Sequence, residues 1–232
     1  MALVGINQML RDARQRGYAV PGFCVWNAEM IRTTLQVAAQ HSAPVILMSG
    51  PGEFPLLPPA VLGRIARAEA QPLQIPVAIH LDHGNSLEMV AECLDAGFTS
   101  VMLDASDRPF AENVRLTGRA AEMARQAGAD SEGEIGAVGR ANDISIEGPH
   151  AGTLTDPDQA AQFVAETGVD ALAKVNVASA LEHAFRLDLA ARFADPDDTP
   201  WIPLQMVKAL EAVAPVVRYW LELTGATGQA KS

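Results

Sequence analysis

The residues best equipped for chemistry lie in the stretch Pro76–Ser86, PVAIHLDHGNS. An apolar run (Val77, Ala78, Ile79) leads into His80, Asp82 and His83. Imidazole can ligate a divalent cation or carry a proton near neutral pH, and a carboxylate can do either. Polar groups gathered where a buried strand ends are costly unless they pair or bind a ligand. In a β/α architecture that end of the strand is the ligand-binding face. Two readings stand on the residues alone. Either His80 and His83 are hydrogen-bonded core histidines and Asp82 caps the next helix, or the cluster is a metal and proton-transfer site. Asp82 and His83 are adjacent, so they point apart unless the strand ends between them; one can then face a substrate while the other holds a metal. Asp104 and Glu134 carry the same alternatives, as helix caps or solvated strand ends on one side and as metal ligands on the other.

Strands and helices alternate around this stretch. Helices are predicted over Met1–Arg16, Ala28–His41, Pro59–Ala70, Leu87–Ala96, Pro109–Ala127, Asp158–Glu166, Ala180–Phe193 and Gln205–Thr224. The first carries Leu3, Ile6, Leu10 and Ala13 on one face and stops at Gly17; Ser86 caps the fourth, and Thr155–Pro157 the sixth. Strands are expected over Ala19–Asn27, Pro44–Met48, the Pro76–His83 stretch, Phe98–Leu103, Asp130–Gly136 and Val169–Val177. Near-continuous apolar strands alternating with helices imply a parallel sheet covered by helices. Polar residues recur at the strand ends, at Asn27, Ser49, Asp82, His83, Asp104, Glu134 and Asn176, and a closed barrel would gather them at one mouth. A doubly wound open sheet lacks its Gly-rich first turn here. The expected fold is α/β, a TIM (β/α)8 barrel forming one domain over residues 1–232, although the pattern yields six strands where eight are needed. Ala137–Thr153 is Gly/Asn/Asp-rich and without periodicity, a candidate lid.

Composition narrows the function classes. The 232 residues are 49% hydrophobic and 19% charged, with a formal net charge of −11 and no basic run, which argues against nucleic-acid binding. Small phosphorylated substrates are compatible, because a few N–H groups and one or two cations suffice. Cys24 and Cys93 stand alone as core-type thiols, pointing to a reducing cytoplasm. The N-terminal residues do not read as a signal peptide, and no segment suggests a membrane partner.

His80–Ser106, HLDHGNSLEMVAECLDAGFTSVMLDAS, resembles the hallmark of the class II, metal-dependent ketose-bisphosphate aldolases, with the tagatose-bisphosphate branch nearest. Tyr18–Glu29, Pro44–Phe54, Arg108–Thr117, Ser131–Gly139, Leu154–Ala173 and Lys174–Leu181 match in family order. The resemblance implies a TIM barrel that reversibly cleaves a ketohexose bisphosphate, tagatose or fructose bisphosphate, into dihydroxyacetone phosphate and glyceraldehyde 3-phosphate. It implies a divalent metal, Zn2+, with a monovalent cation as a further candidate, and a homodimer or homotetramer. His83 matches a zinc ligand and Asp82 the acid/base at the C4 hydroxyl. Asp104 and Glu134 match carboxylates near the metal. Asn176 matches an amide on the dihydroxyacetone portion and Ser179 a hydroxyl near the phosphate; Ser49, at the end of the second strand, joins them as a substrate-binding candidate.

The match breaks at one join. The family carries two further zinc histidines on segments that would fall between Ala173 and Lys174, and His41, His150 and His183 lie in no matching motif. Two βα units of roughly 25–30 residues each would supply both the missing histidines and the missing strands. The join fits a natural chain that continues through those units, a true deletion giving a catalytically silent stabilising or regulatory subunit, or strand exchange between subunits. Smaller departures are Cys24 in place of an Asn, Asn142 where the lid often bears an acid, and Ala105 beside Asp104 in place of a Gly.

Overall fold

The computed structural model describes residues 3–136, 156–171, 175–177, 179–195, 198 and 202–230, with backbone only at 175–177, 179–183, 186 and 203. Its elements follow the sequence in alternation: α1 (Ile6–Arg16), β1 (Pro21–Cys24), α2 (Ala28–Gln40), β2 (Val45–Ser49), α3 (Pro59–Ala70), β3 (Val77–Gly84), α4 (Leu87–Asp95), β4 (Ser100–Leu103), α5 (Phe110–Ala127), β5 (Asp130–Glu132), α6 (Pro157–Thr167), β6 (Val175–Val177), α7 (Ser179–Ala194), α8 (Ile202–Ala209) and α9 (Val213–Leu223). Local chemistry sets the boundaries. The side chains of Asn27, Ser86 and Asp156 accept from the N–H groups of Met30, Met89 and Asp158, capping α2, α4 and α6. Gly17 ends α1 with φ 75°.

All strand pairs are parallel, in the order β5-β4-β3-β2-β1-β6. Alternation along the strands builds two cores. Val45, Leu47, Val77, Ile79, Leu81, Val101 and Leu103 face the surrounding helices. Ile46, Met48 and Ala78 face the barrel interior, where Ile6, Met9 and Ala13 of α1 pack beneath them and close the N-terminal end. Each such fully buried aliphatic side chain contributes ~1.5–3 kcal/mol. No helix among the described residues is long and apolar enough to cross a membrane.

Three expectations change. Leu3, expected on the apolar face of the first helix, lies before α1 and bridges to Val77 of β3, because the helix starts only after Gly5. The strand expected over Val169–Val177 is two segments on opposite edges of the sheet. Ala171 bridges to Glu132 beside β5, whereas Val175–Val177 pairs with β1 through Pro21–Phe23. Only residues 172–174 separate them, so the two edges come within about 14 Å of each other. With that bridge, Ala171 extends the order beyond β5 at one edge, and β6 closes it beside β1 at the other. The long closing helix expected over Gln205–Thr224 is interrupted by a 3₁₀ turn at Leu210–Ala212. Pro215 has no N–H and its ring crowds the carbonyl four residues earlier, so the helix is re-formed around that turn. The Ala137–Thr153 lid candidate falls on residues 137–153, outside those described.

Candidate metal and proton-transfer site

The site begins with an irregularity in β3. His80 and Leu81 oppose Ser100 and Val101, but Gly84 opposes Leu103, so β3 carries one extra residue between Leu81 and Gly84. His83 adopts φ 49°, a left-handed conformation that a non-glycine residue occupies only when its surroundings enforce it. This bulge resolves the problem of adjacent residues pointing apart. It turns Asp82 and His83 to the same mouth, with Asp82 Oδ1 4.0 Å from His80 Nε2 on the interior side. Gly84 accommodates the tight return, since a Cβ there would stand 2.7 Å from the Met102 carbonyl oxygen.

Two neighbouring strands deliver carboxylates to His83. Its Nδ1 lies 2.9 Å from Asp104 Oδ2, past the end of β4, and 3.4 Å from Glu134 Oε2, past the end of β5. Asp104 is anchored by its other oxygen, which accepts from the Ser106 N–H (3.0 Å) and hydroxyl (2.7 Å). Glu134 is fixed through its backbone, whose carbonyl accepts from Asn113 Nδ2 on α5 at 2.8 Å. The hydrogen bond with Asp104 pushes the His83 pKa up to about 9 against the opposing effect of burial. Burial works to raise the Asp104 pKa, but the hydrogen bonds from His83 and Ser106 outweigh it and hold that carboxyl well below the usual range.

His83, Asp104 and Glu134 each offer one ligand atom, all within 4.8 Å of one another. Donor atoms about 2.0–2.2 Å from a common divalent ion stand roughly 3–3.6 Å apart, and the two His83 contacts, 2.9 and 3.4 Å, are close to that spacing. One nitrogen and two carboxylate oxygens make a harder donor set than three imidazoles.

Of the other residues singled out in the sequence, Ser49 ends β2 fully buried, and its hydroxyl donates to the Val25 carbonyl. That hydrogen bond ties β2 to the segment after β1 instead of presenting Ser49 to a ligand. Asn176 lies on β6 opposite Gly22, and Ser179 opens α7; their side chains are outside those described. Cys24 Sγ is 3.4 Å from Glu53 Oε1 at the end of β1.

Two residues outside the candidates named from the sequence, Glu132 and Ser100, also line this region. Both are buried and both face His80: Ser100 Oγ is 2.8 Å from Nδ1 and Glu132 Oε2 is 3.2 Å from Nε2. Strand alternation was the available signal. Glu132 is two residues before Glu134, and Ser100 four before Asp104, so each pair shares a face.

Comparison with known proteins addresses the family of the chain. A family model described as class-II fructose-bisphosphate aldolase matches residues 4–174, ending within the step between the two sheet edges. A protein of Bacillus subtilis (strain 168) named "Probable fructose-bisphosphate aldolase" is 41% identical over 177 residues, covering 75% of this chain; the chain spans 61% of that relative's length. The crystal structure of the YdjI aldolase from Escherichia coli K12 superimposes with a TM-score of 0.83 at 26% identity, covering 99% of this chain and 100% of the other. Fructose-bisphosphate aldolase from Campylobacter jejuni shares the fold alone, with a TM-score of 0.80 at 15% identity over 97% of this chain and 96% of its own. A bulged strand that brings an aspartate and a histidine to the mouth of a TIM-type barrel is thus joined by a match over most of the sequence, and the chain belongs to the class-II fructose-bisphosphate aldolase family.

Proposed function

We propose that this protein reversibly cleaves a ketohexose bisphosphate, fructose or tagatose bisphosphate, into dihydroxyacetone phosphate and glyceraldehyde 3-phosphate. The observation that supports the reading is the bulge at Asp82–His83, which brings a carboxylate and an imidazole to the same end of β3. Asp82 removes the proton of the C4 hydroxyl as the C3–C4 bond breaks, leaving the bonding pair on the C3 side and an aldehyde at C4. In the synthetic direction Asp82 returns that proton. His83, Asp104 and Glu134 would hold a divalent cation, Zn2+ in the family pattern. When bound, that cation would supply the Lewis acidity that polarises the ketose carbonyl toward its oxygen. Ser106 and Asn113 keep Asp104 and Glu134 in register with His83, so the donor set is preorganised.

Assembly as a homodimer or homotetramer is part of this reading. Support comes from large apolar side chains left exposed on three C-terminal helices: Leu187 and Phe193 on α7, Ile202 and Val207 on α8, Tyr219 and Leu223 on α9. A cytoplasmic setting suits the two free thiols, Cys24 and Cys93.

A second reading, a catalytically silent homologue that stabilises or regulates an active aldolase, draws on the single imidazole in the donor set found among the described residues. One experiment separates the two: aldol cleavage of both bisphosphates by the purified protein loaded with Zn2+, before and after chelation, with metal content measured in parallel. Stoichiometric metal with chelator-sensitive cleavage that Asp82→Asn abolishes supports the enzyme. A folded protein that neither holds metal nor turns over either substrate supports the silent subunit.

A further inference from the structure

We propose that Glu53 is a positioning residue: its carboxylate grips the Gly50 N–H and the Cys24 thiol and so holds the turn after β2 against the back of Asp82. This rests on the aldol-cleavage reading above. Both carboxylate oxygens are engaged. Oε2 accepts from the Gly50 N–H at 2.8 Å, and Oε1 accepts from Cys24 Sγ, at the end of β1, at 3.4 Å. The main chain closes on the same glycine from the other side, where the Gly50 carbonyl accepts from the N–H groups of Glu53 (3.1 Å) and Phe54 (3.2 Å). Gly50 is thus held through both its polar backbone groups, and a hydrogen bond to an ionised carboxylate is the stronger kind.

The grip matters because of what Gly50 touches. β2 and β3 stay in register through Ser49 and Leu81, so Gly50 and Asp82 come next on the two strands. A Cβ on Gly50 would stand 2.2 Å from the Asp82 carbonyl oxygen, which places the two main chains in direct contact. On its other side β3 slips against β4 between Leu81 and Gly84. The regular ladder is therefore broken beside Asp82 toward β4, and the support comes from the β2 side. That support is a Ser-Gly-Pro-Gly turn, in which Gly50 and Gly52 bring wide backbone freedom and no side chain to anchor it. The Glu53 side chain restrains it from across the turn. An apolar residue at 53 would avoid desolvating a carboxylate but would leave the Gly50 N–H and the Cys24 thiol without this acceptor.

The test compares Glu53→Ala, which removes both contacts, with Glu53→Gln, which keeps an amide oxygen for the Gly50 N–H. Glu53→Ala is expected to melt cooperatively with unchanged metal content, KM within about twofold of wild type and kcat lower by ~10-fold. Glu53→Gln should recover most of that kcat. Wild-type kcat in Glu53→Ala, equal impairment of both variants, or a raised KM at unchanged kcat overturns the proposal; the last would make Glu53 a substrate contact. Should Glu53→Ala fail to fold, Glu53→Asp retracts the carboxylate by one methylene: a fall in kcat at constant KM supports the grip, and wild-type kcat overturns it. If the wild-type protein cleaves neither bisphosphate, the aldolase reading fails by itself. The grip is then decided by crystal structures of wild type and Glu53→Gln beside Glu53→Ala or Glu53→Asp. A turn and an Asp82 displaced together only where the grip is cut support it, and an Asp82 unmoved in every variant overturns it.

Discussion

His83 Nδ1 and Asp104 Oδ2 lie 2.9 Å apart across two strand ends, bringing together residues 21 positions apart in the chain. The contact exists because β3 carries an extra residue and His83 accepts a left-handed backbone, while Ser106 locks the other oxygen of Asp104. The pair makes the metal-free protein pH-sensitive on both sides. His83 has its pKa raised from 6.5 to about 9, so its contribution to stability is complete below pH 6.5 and is lost as pH rises through about 9. The Asp104 pKa is depressed, so its contribution is present above the unfolded carboxylate value and is lost as pH falls toward the folded one. Thermal melts of chelated protein are expected to show a plateau in between, with the alkaline fall absent from Asp104→Asn. A melting profile identical in wild type and variant would count against the pairing.

Cation uptake should compete with the proton on His83, because a ligating imidazole must be neutral. Apparent affinity is expected to rise with pH by about tenfold per unit below the His83 pKa and to level off above about 9. Titration calorimetry in buffers of different ionisation enthalpy would detect close to one proton released per ion near neutral pH. His83→Ala should abolish both uptake and proton release; affinity that is flat with pH would remove His83 from the donor set.

Gly50→Ala is expected to damage the site from behind. A Cβ at Gly50 would lie 2.2 Å from the Asp82 backbone oxygen, a backbone contact that no side-chain rotation relieves. A stability loss of ~1–3 kcal/mol by urea unfolding and a fall in kcat should accompany the displacement of Asp82. Gly52→Ala in the same turn meets nothing within 4 Å and is the control, expected to match wild type in both measurements.

Ser49→Ala separates a structural hydroxyl from a substrate ligand. The Ser49 hydroxyl donates to the Val25 carbonyl in a fully buried position. Its removal should lower stability by ~1 kcal/mol with KM for the bisphosphate unchanged. A raised KM at unchanged stability would restore Ser49 to the substrate site.

The sequence by itself determined the β/α alternation, the caps Asn27, Ser86 and Asp156, and the gathering of polar residues at strand ends, all of which are local. Propensity, capping and apolar period act within a few residues, so they can be read along the chain. Asp82, His83, Asp104 and Glu134 were legible as candidates for the same reason. Their convergence was not, since it depends on register between strands and on one inserted residue that turns Asp82 and His83 to the same side. Tertiary structure alone also decided that Ala171 and Val175 belong to opposite edges of the sheet. An apolar run looks the same whether it pairs with β5, with β1 or with each in turn, because strand pairing is settled by partners far away in sequence. The surroundings of His80 stand between these cases. Its burial followed from the strand pattern, but only the fold brought Ser100 and Glu132 to its two nitrogens and set Asp82 beside them.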